Sequence, residues 1–360
     1  MDNLLKKLNR QIAYARENSP FYSYLPEKLA SLEDLKAIPP ISAEDLAAQG
    51  NRMLCCSPNR VRRMVTMQTS GTTAAPKRLA FTEADLQRTV DFFCWGMHTL
   101  CDAGDRVGIF MPGSQPDGLC DLLSRGLRGF GAVPEVYGII ADFEAAAQFC
   151  AEKEWAVLVG IPAQLRRLAL TAPDLRVRRV LLSADYISPA VKRTLERVWG
   201  CEVYEHFGMT ETGLGCAVET PARQGMRCRE DIYLEVEQGE ILLTTLEREA
   251  MPLIRYRTGD LGMMLPNGNL GAVYGRAAGQ ARNICITALD DVLYEIDTVL
   301  DYRAVLRGEE LELLVLGDLA AAQRAASAAF PDVQVTVHPA SEEQMRFSGK
   351  RVLHENGQGG

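Results

Sequence analysis

Residues 69–77 read Thr-Ser-Gly-Thr-Thr-Ala-Ala-Pro-Lys. A short loop dense in hydroxyls and small residues (Thr69, Ser70, Gly71, Thr72, Thr73) lets backbone N–H groups and side-chain hydroxyls surround phosphate oxygens. Lys77 adds a point charge for the same oxygens. The spacing GxxxxGK[ST] is absent, so this is not a Walker A loop. A Ser/Thr/Gly-rich turn is also often only a turn, and the segment alone leaves both readings open. Four further segments carry reactive residue types. They are His206-Phe207-Gly208-Met209-Thr210-Glu211, then Ile254-Arg255-Tyr256-Arg257-Thr258-Gly259-Asp260-Leu261, then Gly275-Arg276, and last Phe347-Ser348-Gly349-Lys350-Arg351-Val352. Taken singly, Asp260 could cap a turn, Glu211 could be a solvated carboxylate, Arg276 a surface cation, and Lys350 part of a mobile tail.

The elements that would position these residues follow from periodicity. Residues 4–16 place Leu4, Leu5, Leu8, Ile12 and Ala15 on one helical face, ended by Ser19-Pro20. Ser31 and Ser42 each have an aspartate three residues on, a weak capping box. The first 60 residues read as short helices joined by proline turns. Strands are expected at 62–68, 107–111, 132–136, 155–160, 177–183 and 201–205, with amphipathic helices at 83–100, 115–128, 142–153, 162–170 and 189–199. Short apolar strands alternating with helices imply a mostly parallel sheet covered by helices. After residue 230 short strands and turns predominate (231–237, 240–245, 261–265). The tail offers a helix at 289–300, strands at 302–307 and 310–316, a helix at 319–329 and a strand at 333–338.

The order and spacing of these motifs resembles the adenylate-forming superfamily of acyl-CoA synthetases, adenylation domains and luciferases, along nearly the whole chain. Within it the sequence is similar to the phenylacetate-CoA ligase and coenzyme F390 synthetase-like branch. The features that carry this are Asn18-Ser19-Pro20-Phe21-Tyr22, Ser31-Leu32-Glu33-Asp34-Leu35 with Pro39-Pro40, the phrase from Met251 to Asp260, and the compact tail. The resemblance implies an α/β fold: a large catalytic body at 1–275 and a small α+β lid at 276–360. The body has a helical lead-in at 1–60, mostly parallel sheets with helices, and a β-rich subdomain at about 231–275. It implies that loop 69–77 holds the β- and γ-phosphates of ATP. Thr210 would contact the α-phosphate, and Glu211 would hold Mg²⁺, a hard cation suited to a carboxylate beside phosphate. Asp260 would take both ribose hydroxyls, and Arg276 would lie near ribose and phosphate. Phe207 would stand beside adenine, flanked by His206 and Gly208, and the turn Ser183-Ala184-Asp185 would touch the nucleotide. Lys350 corresponds to the superfamily's terminal lysine, whose charge would sit on carboxylate and α-phosphate oxygens during adenylation.

The implied reaction joins a small-molecule carboxylic acid, aryl or arylacetic in this branch, to AMP and then to coenzyme A, with lid rotation between the steps. An acceptor other than coenzyme A, or a nucleotide-binding regulatory protein that has lost turnover, are the competing readings. Three departures bear on this: Ala74 replaces a usual glycine, Ala277-Ala278-Gly279-Gln280 lacks the usual hinge carboxylates, and Thr220 and Arg227 replace a Cys and a His of a possible zinc cluster. His206, Cys216 and Cys228 remain, in no standard ligand spacing. Phe110, Met111, Tyr137, Ile139, Ile161 and Phe207 could line an acyl pocket or be plain core.

Composition sets the outer limits. The 360 residues carry a formal net charge of −8, 47% apolar and 24% charged residues. An acidic balance disfavours nucleic acid and anionic membrane as partners. No apolar run approaches a transmembrane span, and the start MDNLLKKLNRQ turns polar early. Ten cysteines without a CxxC, with Cys94, Cys120 and Cys150 in apolar runs, suggest buried, reduced thiols in a cytoplasmic protein. The branch implies a homodimer.

Overall fold

The computed structural model describes residues 2–67, 76–276, 284–347, 349, 351 and 353–355. In chain order the lead-in contains α1 (Asp2–Asn18) and α2 (Ala43–Gln49), followed by β1 (Val61–Met67), β2 (Lys77–Thr82) and α3 (Glu83–His98). The alternating region runs β3 (Arg106–Phe110), α4 (Leu119–Gly129), β4 (Val133–Val136), α5 (Phe143–Cys150), β5 (Glu154–Gly160), α6 (Pro162–Thr171), β6 (Arg176–Leu182), α7 (Pro189–Trp199) and β7 (Glu202–Phe207). Next come β8 (Ala217–Glu219), β9 (Met226–Cys228), β10 (Ile232–Glu237), β11 (Glu240–Thr245), β12 (Tyr256–Met264) and β13 (Leu270–Arg276). The tail holds α8 (Ile286–Leu293), β14 (Val299–Arg307), β15 (Glu310–Gly317), α9 (Leu319–Ala329), β16 (Gln334–Pro339) and β17 (His354–Glu355). Among the described residues no helix is long and apolar enough to cross a membrane.

The chain divides into two compact units, each assembled from separated segments: residues 1–97, 116–126 and 207–273 in the first, and 98–115, 127–206 and 274–360 in the second. In the first unit the lead-in braces the segment that precedes β12. Leu8, Ile12 and Ala15 are fully buried on one face of α1. Gln11 exchanges hydrogen bonds with the Arg248 backbone, at 3.0 and 2.8 Å. Asp85 accepts the N–H groups of Glu249 and Ala250 at 2.8 and 3.0 Å, besides that of Thr82. Buried Arg255 donates to the carbonyls of Lys36 and Ile38 and to Glu237. The Ser42–Asp45 capping box forms as expected.

One sequence expectation changes here. The strand expected at 62–68 is not part of a parallel sheet. It pairs antiparallel with β2 as a two-stranded unit, Met67 opposite Lys77. β1 alternates half-buried and exposed positions, whereas β2 ends in four buried ones. Only one strand of the pair therefore faces the core.

The second unit contains the parallel sheet, in the order β4-β3-β5-β6-β7. Its central strands β3 and β5 are near-continuous buried runs, as covering on both faces requires, while β4 and the start of β6 keep exposed positions. The tail forms a second sheet, β16-β15-β14-β17. Trp155, Leu165 and Leu195 share one apolar core with Leu289, Tyr294, Tyr302 and Leu313. The helix expected at 289–300 is instead α8, stopping at Leu293, with β14 starting at Val299. Tyr294, Val299 and Tyr302 are all buried in that core, so tertiary packing sets the helix boundary.

Candidate active site

The strongest cluster lies in the first unit. Lys77 opens β2, and its Nζ stands 2.8 Å from Glu211 Oε1 and 3.3 Å from the Tyr256 hydroxyl. That hydroxyl donates to the same Oε1 at 3.0 Å. Glu211 sits in a single tight turn, Thr210–Thr212, directly after β7. Thr212 Oγ1 closes the turn: it accepts from the Met209 N–H and donates to the Met209 carbonyl. Arg248 donates to the Glu211 carbonyl at 3.3 Å. The Glu211 residue is only 3% exposed, and a carboxylate so placed requires a charged or hydrogen-bonded partner. Here it has both.

Asp260 shares the buried positions of β12 with Tyr256 and Thr258. Thr258 Oγ1 donates to the Ile241 carbonyl at 2.7 Å and accepts the Asp260 N–H at 3.0 Å. Gly259, between them, has φ +76°, a conformation glycine adopts without strain. The Thr-Gly-Asp order thus has a local cause: an anchor, a permissive turn residue and a buried acid. Phe207 is buried, while Gly208 and Thr210 are half-buried on the same turn.

The second unit holds the other group. Ser183, Ala184 and Asp185 follow the C-terminal end of β6, and His206 lies near the end of β7. In open parallel sheets this edge is where ligands bind. The Ser183 hydroxyl and His206 Nδ1 are 2.7 Å apart. Ala184 has φ +75°, a strained position for a residue with a Cβ. Asp185 accepts the N–H of Tyr186 at 2.9 Å and that of Arg351 at 3.3 Å. Arg276 is exposed at the end of β13. Thr69, Ser70, Gly71, Thr72, Thr73, Ala74 and Lys350, and the hinge residues 277–280, lie outside the described residues.

The structure therefore joins Lys77 with Glu211, Ser183 with His206, and Asp185 with Arg351. Sequence reasoning missed Tyr256, although it stands inside the Arg-Tyr-Arg-Thr-Gly-Asp phrase. It also missed Arg351, next to Lys350. Of the proposed acyl-pocket residues, Phe110 and Tyr137 pack at 5.3 Å, and Tyr137 also meets Phe149 at 5.2 Å. Phe110 belongs to the core that contains Trp155.

A single buried carboxylate that already carries a cation suits magnesium, which is commonly held by one or two carboxylates plus substrate phosphates. Among the described residues no three His, Cys, Asp or Glu side chains gather as metal ligands. All ten cysteines are free, and burial pushes the thiols of Cys55, Cys101, Cys150 and Cys201 up to about 12.

The sequence profile of the family described as AMP-binding enzyme matches residues 32–233, more than half of the chain. The chain belongs to the AMP-binding enzyme family. Similar relatives include the phenylacetate-coenzyme A ligase of Thermus thermophilus, 26% identical over 84% of this chain and 77% of that one. The phenylacetate-coenzyme A ligase of Pseudomonas putida is 24% identical over 76% of this chain and 70% of that one. A 2-hydroxyisobutyryl-CoA ligase solved in the postadenylation state with its acyl-AMP has a TM-score of 0.81 at 22% identity, covering 98% of this chain and 89% of that chain. The last likeness shows the AMP-binding fold over nearly the full length.

Proposed function

We propose that this AMP-binding enzyme activates a carboxylic acid, aryl or arylacetic, with ATP and transfers the acyl group to coenzyme A. The observation that carries this reading is Glu211: a buried carboxylate, oriented by Tyr256, with a lysine from the end of the hydroxyl-rich loop against it. In the first step an acid oxygen attacks the α-phosphorus of ATP, the bond to the bridging β-phosphate oxygen breaks, and pyrophosphate leaves. In the second the coenzyme A sulfur, having given up its proton to solvent, attacks the acyl carbon, and AMP leaves. Neither step requires a covalent protein nucleophile, so the protein's contribution is positioning and charge.

Lys77 and the 69–73 hydroxyls bind the β- and γ-phosphates, Thr210 the α-phosphate, and Asp260 the ribose hydroxyls. The Ser183–His206 pair and Phe207 border the base, and Arg276 is assigned to the ribose–phosphate region. Magnesium, held by Glu211, would screen the phosphate charge as the pyrophosphate leaves. Ligand entry then requires Lys77 to exchange its carboxylate for phosphate oxygens. Lys350 carries positive charge to the reacting carboxylate and α-phosphate, and residues 276–360 act as the lid between half-reactions. The enzyme is assigned to the cytoplasm as a homodimer.

Acid-dependent pyrophosphate exchange over a panel of aromatic, arylacetic and aliphatic acids tests the first step. Thioester formation on adding coenzyme A tests the second. Exchange should be strongest with an aryl or arylacetic acid, should vanish on chelating magnesium, and should fall steeply in Glu211→Gln. Exchange with no acid at all would overturn the reading.

A further inference from the structure

From Glu211 onward, alternate backbone carbonyls are each bonded by a buried side chain. Arg248 donates to the Glu211 carbonyl at 3.3 Å, Thr89 to that of Gly213 at 2.9 Å, and Arg229 to that of Gly215 at 3.0 Å. Arg229 also donates to the Thr89 hydroxyl at 3.2 Å and bonds both oxygens of Asp231, at 2.5 and 2.9 Å. Thr89 stands on α3 one turn beyond Asp85, whose Oδ1 lies 3.9 Å from the Arg248 Nε. Asp85, Thr89, Arg229, Asp231 and Arg248 are each at most 9% exposed. The Arg248 backbone is itself fixed, by the two hydrogen bonds it exchanges with Gln11.

The loop held in this way is strained and tightly seated. Leu214 has φ +83°, a rare conformation for a residue with a Cβ. Such strain persists only where surrounding contacts over-determine it. A Cβ at Gly215 would fall 2.7 Å from the ring of Phe92, which lies on the same face of α3 as Asp85 and Thr89.

Stability does not account for Arg248. Its Nη1 meets no hydrogen-bond partner among the described residues, and its ion pair with Asp85 is long. Its guanidinium lies over the Phe81 ring, 4.8 Å from the centroid. A buried charge so thinly paired contributes little against an apolar side chain of similar volume. Asp85 does not depend on it, because three backbone N–H groups already bond that carboxylate. What the arginine does supply is a donor to the backbone of Glu211, whose side chain carries Lys77 and Tyr256.

We infer that Arg248 is a positioning residue for adenylation: it fixes the Glu211 backbone, while Thr89 and Arg229 fix the strained loop that follows, so that the carboxylate is presented to magnesium in one orientation. This rests on the reading of Glu211 as the magnesium ligand given above. Arg248 has no assigned contact with substrate, so its loss acts through the metal and leaves the KM for the acid unchanged.

The test compares Glu211→Gln, Arg248→Met, Arg248→Lys and Thr89→Val in the full-length enzyme. Three quantities are measured. The first is binding of Mn²⁺, a paramagnetic stand-in for magnesium, to the enzyme with an α,β-methylene analogue of ATP, followed by electron paramagnetic resonance. The second is pyrophosphate exchange as a function of magnesium and of acid, and the third is the urea midpoint. Arg248→Met should weaken Mn²⁺ binding by about 10–100-fold and raise the half-saturating magnesium for exchange by about the same factor, the usual effect of losing a partner that orients a metal ligand. The KM for the acid and the urea midpoint should stay near their wild-type values. Arg248→Lys, which keeps a donor, should recover part of the metal affinity. Thr89→Val should show a smaller loss of the same kind.

Unchanged Mn²⁺ binding in Glu211→Gln would sink the reading of that carboxylate, and the inference with it. Weakened binding in Glu211→Gln beside normal binding in Arg248→Met would overturn the inference alone. So would a collapse of the urea midpoint in Arg248→Met, or a rise in the acid KM as large as that in half-saturating magnesium, since either marks a merely structural residue. The Mn²⁺ measurement needs no turnover.

Discussion

Replacing Lys77 by methionine keeps the aliphatic stem and deletes the ammonium. Glu211 then loses a charged donor at 2.8 Å and keeps, among the described residues, the Tyr256 hydroxyl at 3.0 Å. The glutamate side chain is 4% exposed and that of the lysine 14%, so little water can compensate. Breaking a buried pair by removing one partner costs about 3–5 kcal/mol. The retained hydroxyl bond to a charged group contributes about 1.5 kcal/mol, which leaves an expected loss of about 1.5–3.5 kcal/mol. Glu211→Gln should cost a comparable amount. The double variant should regain most of the sum, giving a coupling of about 1.5–3 kcal/mol. Urea unfolding measures this. Trp95 belongs to the first unit and Trp155 and Trp199 to the second, so a Trp155→Phe/Trp199→Phe background reports on the unit that holds the pair. A Lys77→Met cost below about 0.5 kcal/mol, additive with Glu211→Gln, is what an exposed pair would give, and it would refute the buried cation-site argument.

Three other outcomes are expected. Ala184→Gly relieves a positive φ and should raise the urea midpoint by the equivalent of about 0.5–1 kcal/mol; a loss would show that the methyl group packs usefully. Burial pushes the Asp290 carboxyl up to about 7, with Asp185 adding to the rise and Arg351 and Tyr302 opposing it. An unfolded aspartate titrates near 3.9, so the folded form holds its proton more tightly. The resulting stabilisation is full below about pH 4 and is lost as pH rises through about 7. Asp290→Asn should flatten that decline in the urea midpoint, and an unchanged slope would contradict the assignment. At pH 8 a thiol reagent should modify native Cys56, Cys94, Cys228 and Cys285 first, because Cys55, Cys101, Cys120, Cys150, Cys201 and Cys216 are buried; mass spectrometry of the labelled peptides checks the order.

The parallel sheet was legible because strands covered on both faces are largely apolar, as at 155–160, and 177–182 closes on the buried run Val180-Leu181-Leu182. The Thr-Gly-Asp phrase was legible because a glycine between a hydroxyl and an acid has a backbone purpose. The β1–β2 pairing was not, because the hydroxyl-rich loop drew attention to ligand chemistry and away from the strand Lys77–Thr82 that follows it. The helix expected at 289–300 overran because Val299 and Leu300 continue an apolar pattern, while the core that ends α8 at Leu293 is built from distant residues. Tyr256 and Arg351 escaped for a shared reason. Each stands beside a residue with more obvious chemistry, and each acts through partners 45 and 61 residues away in sequence.

The interleaved path of the two units has a consequence for synthesis. The first 97 residues cannot complete their unit until 207–273 have been made, because Gln11 bonds to Arg248 and Asp85 to the backbone of Glu249 and Ala250. At ribosomal speeds of about 5–20 residues per second, the intervening stretch imposes a wait of roughly 5–20 s. Throughout it the faces of α1 and α3 that bond to 248–250 lack those partners. The second unit waits longer still, until β17 joins β14 close to the end of the chain. A ribosome stalled near residue 206 would therefore display two incomplete cores at once. Such a nascent chain is a natural client for a holding chaperone, and slowing translation before residue 207 should increase its dependence on one.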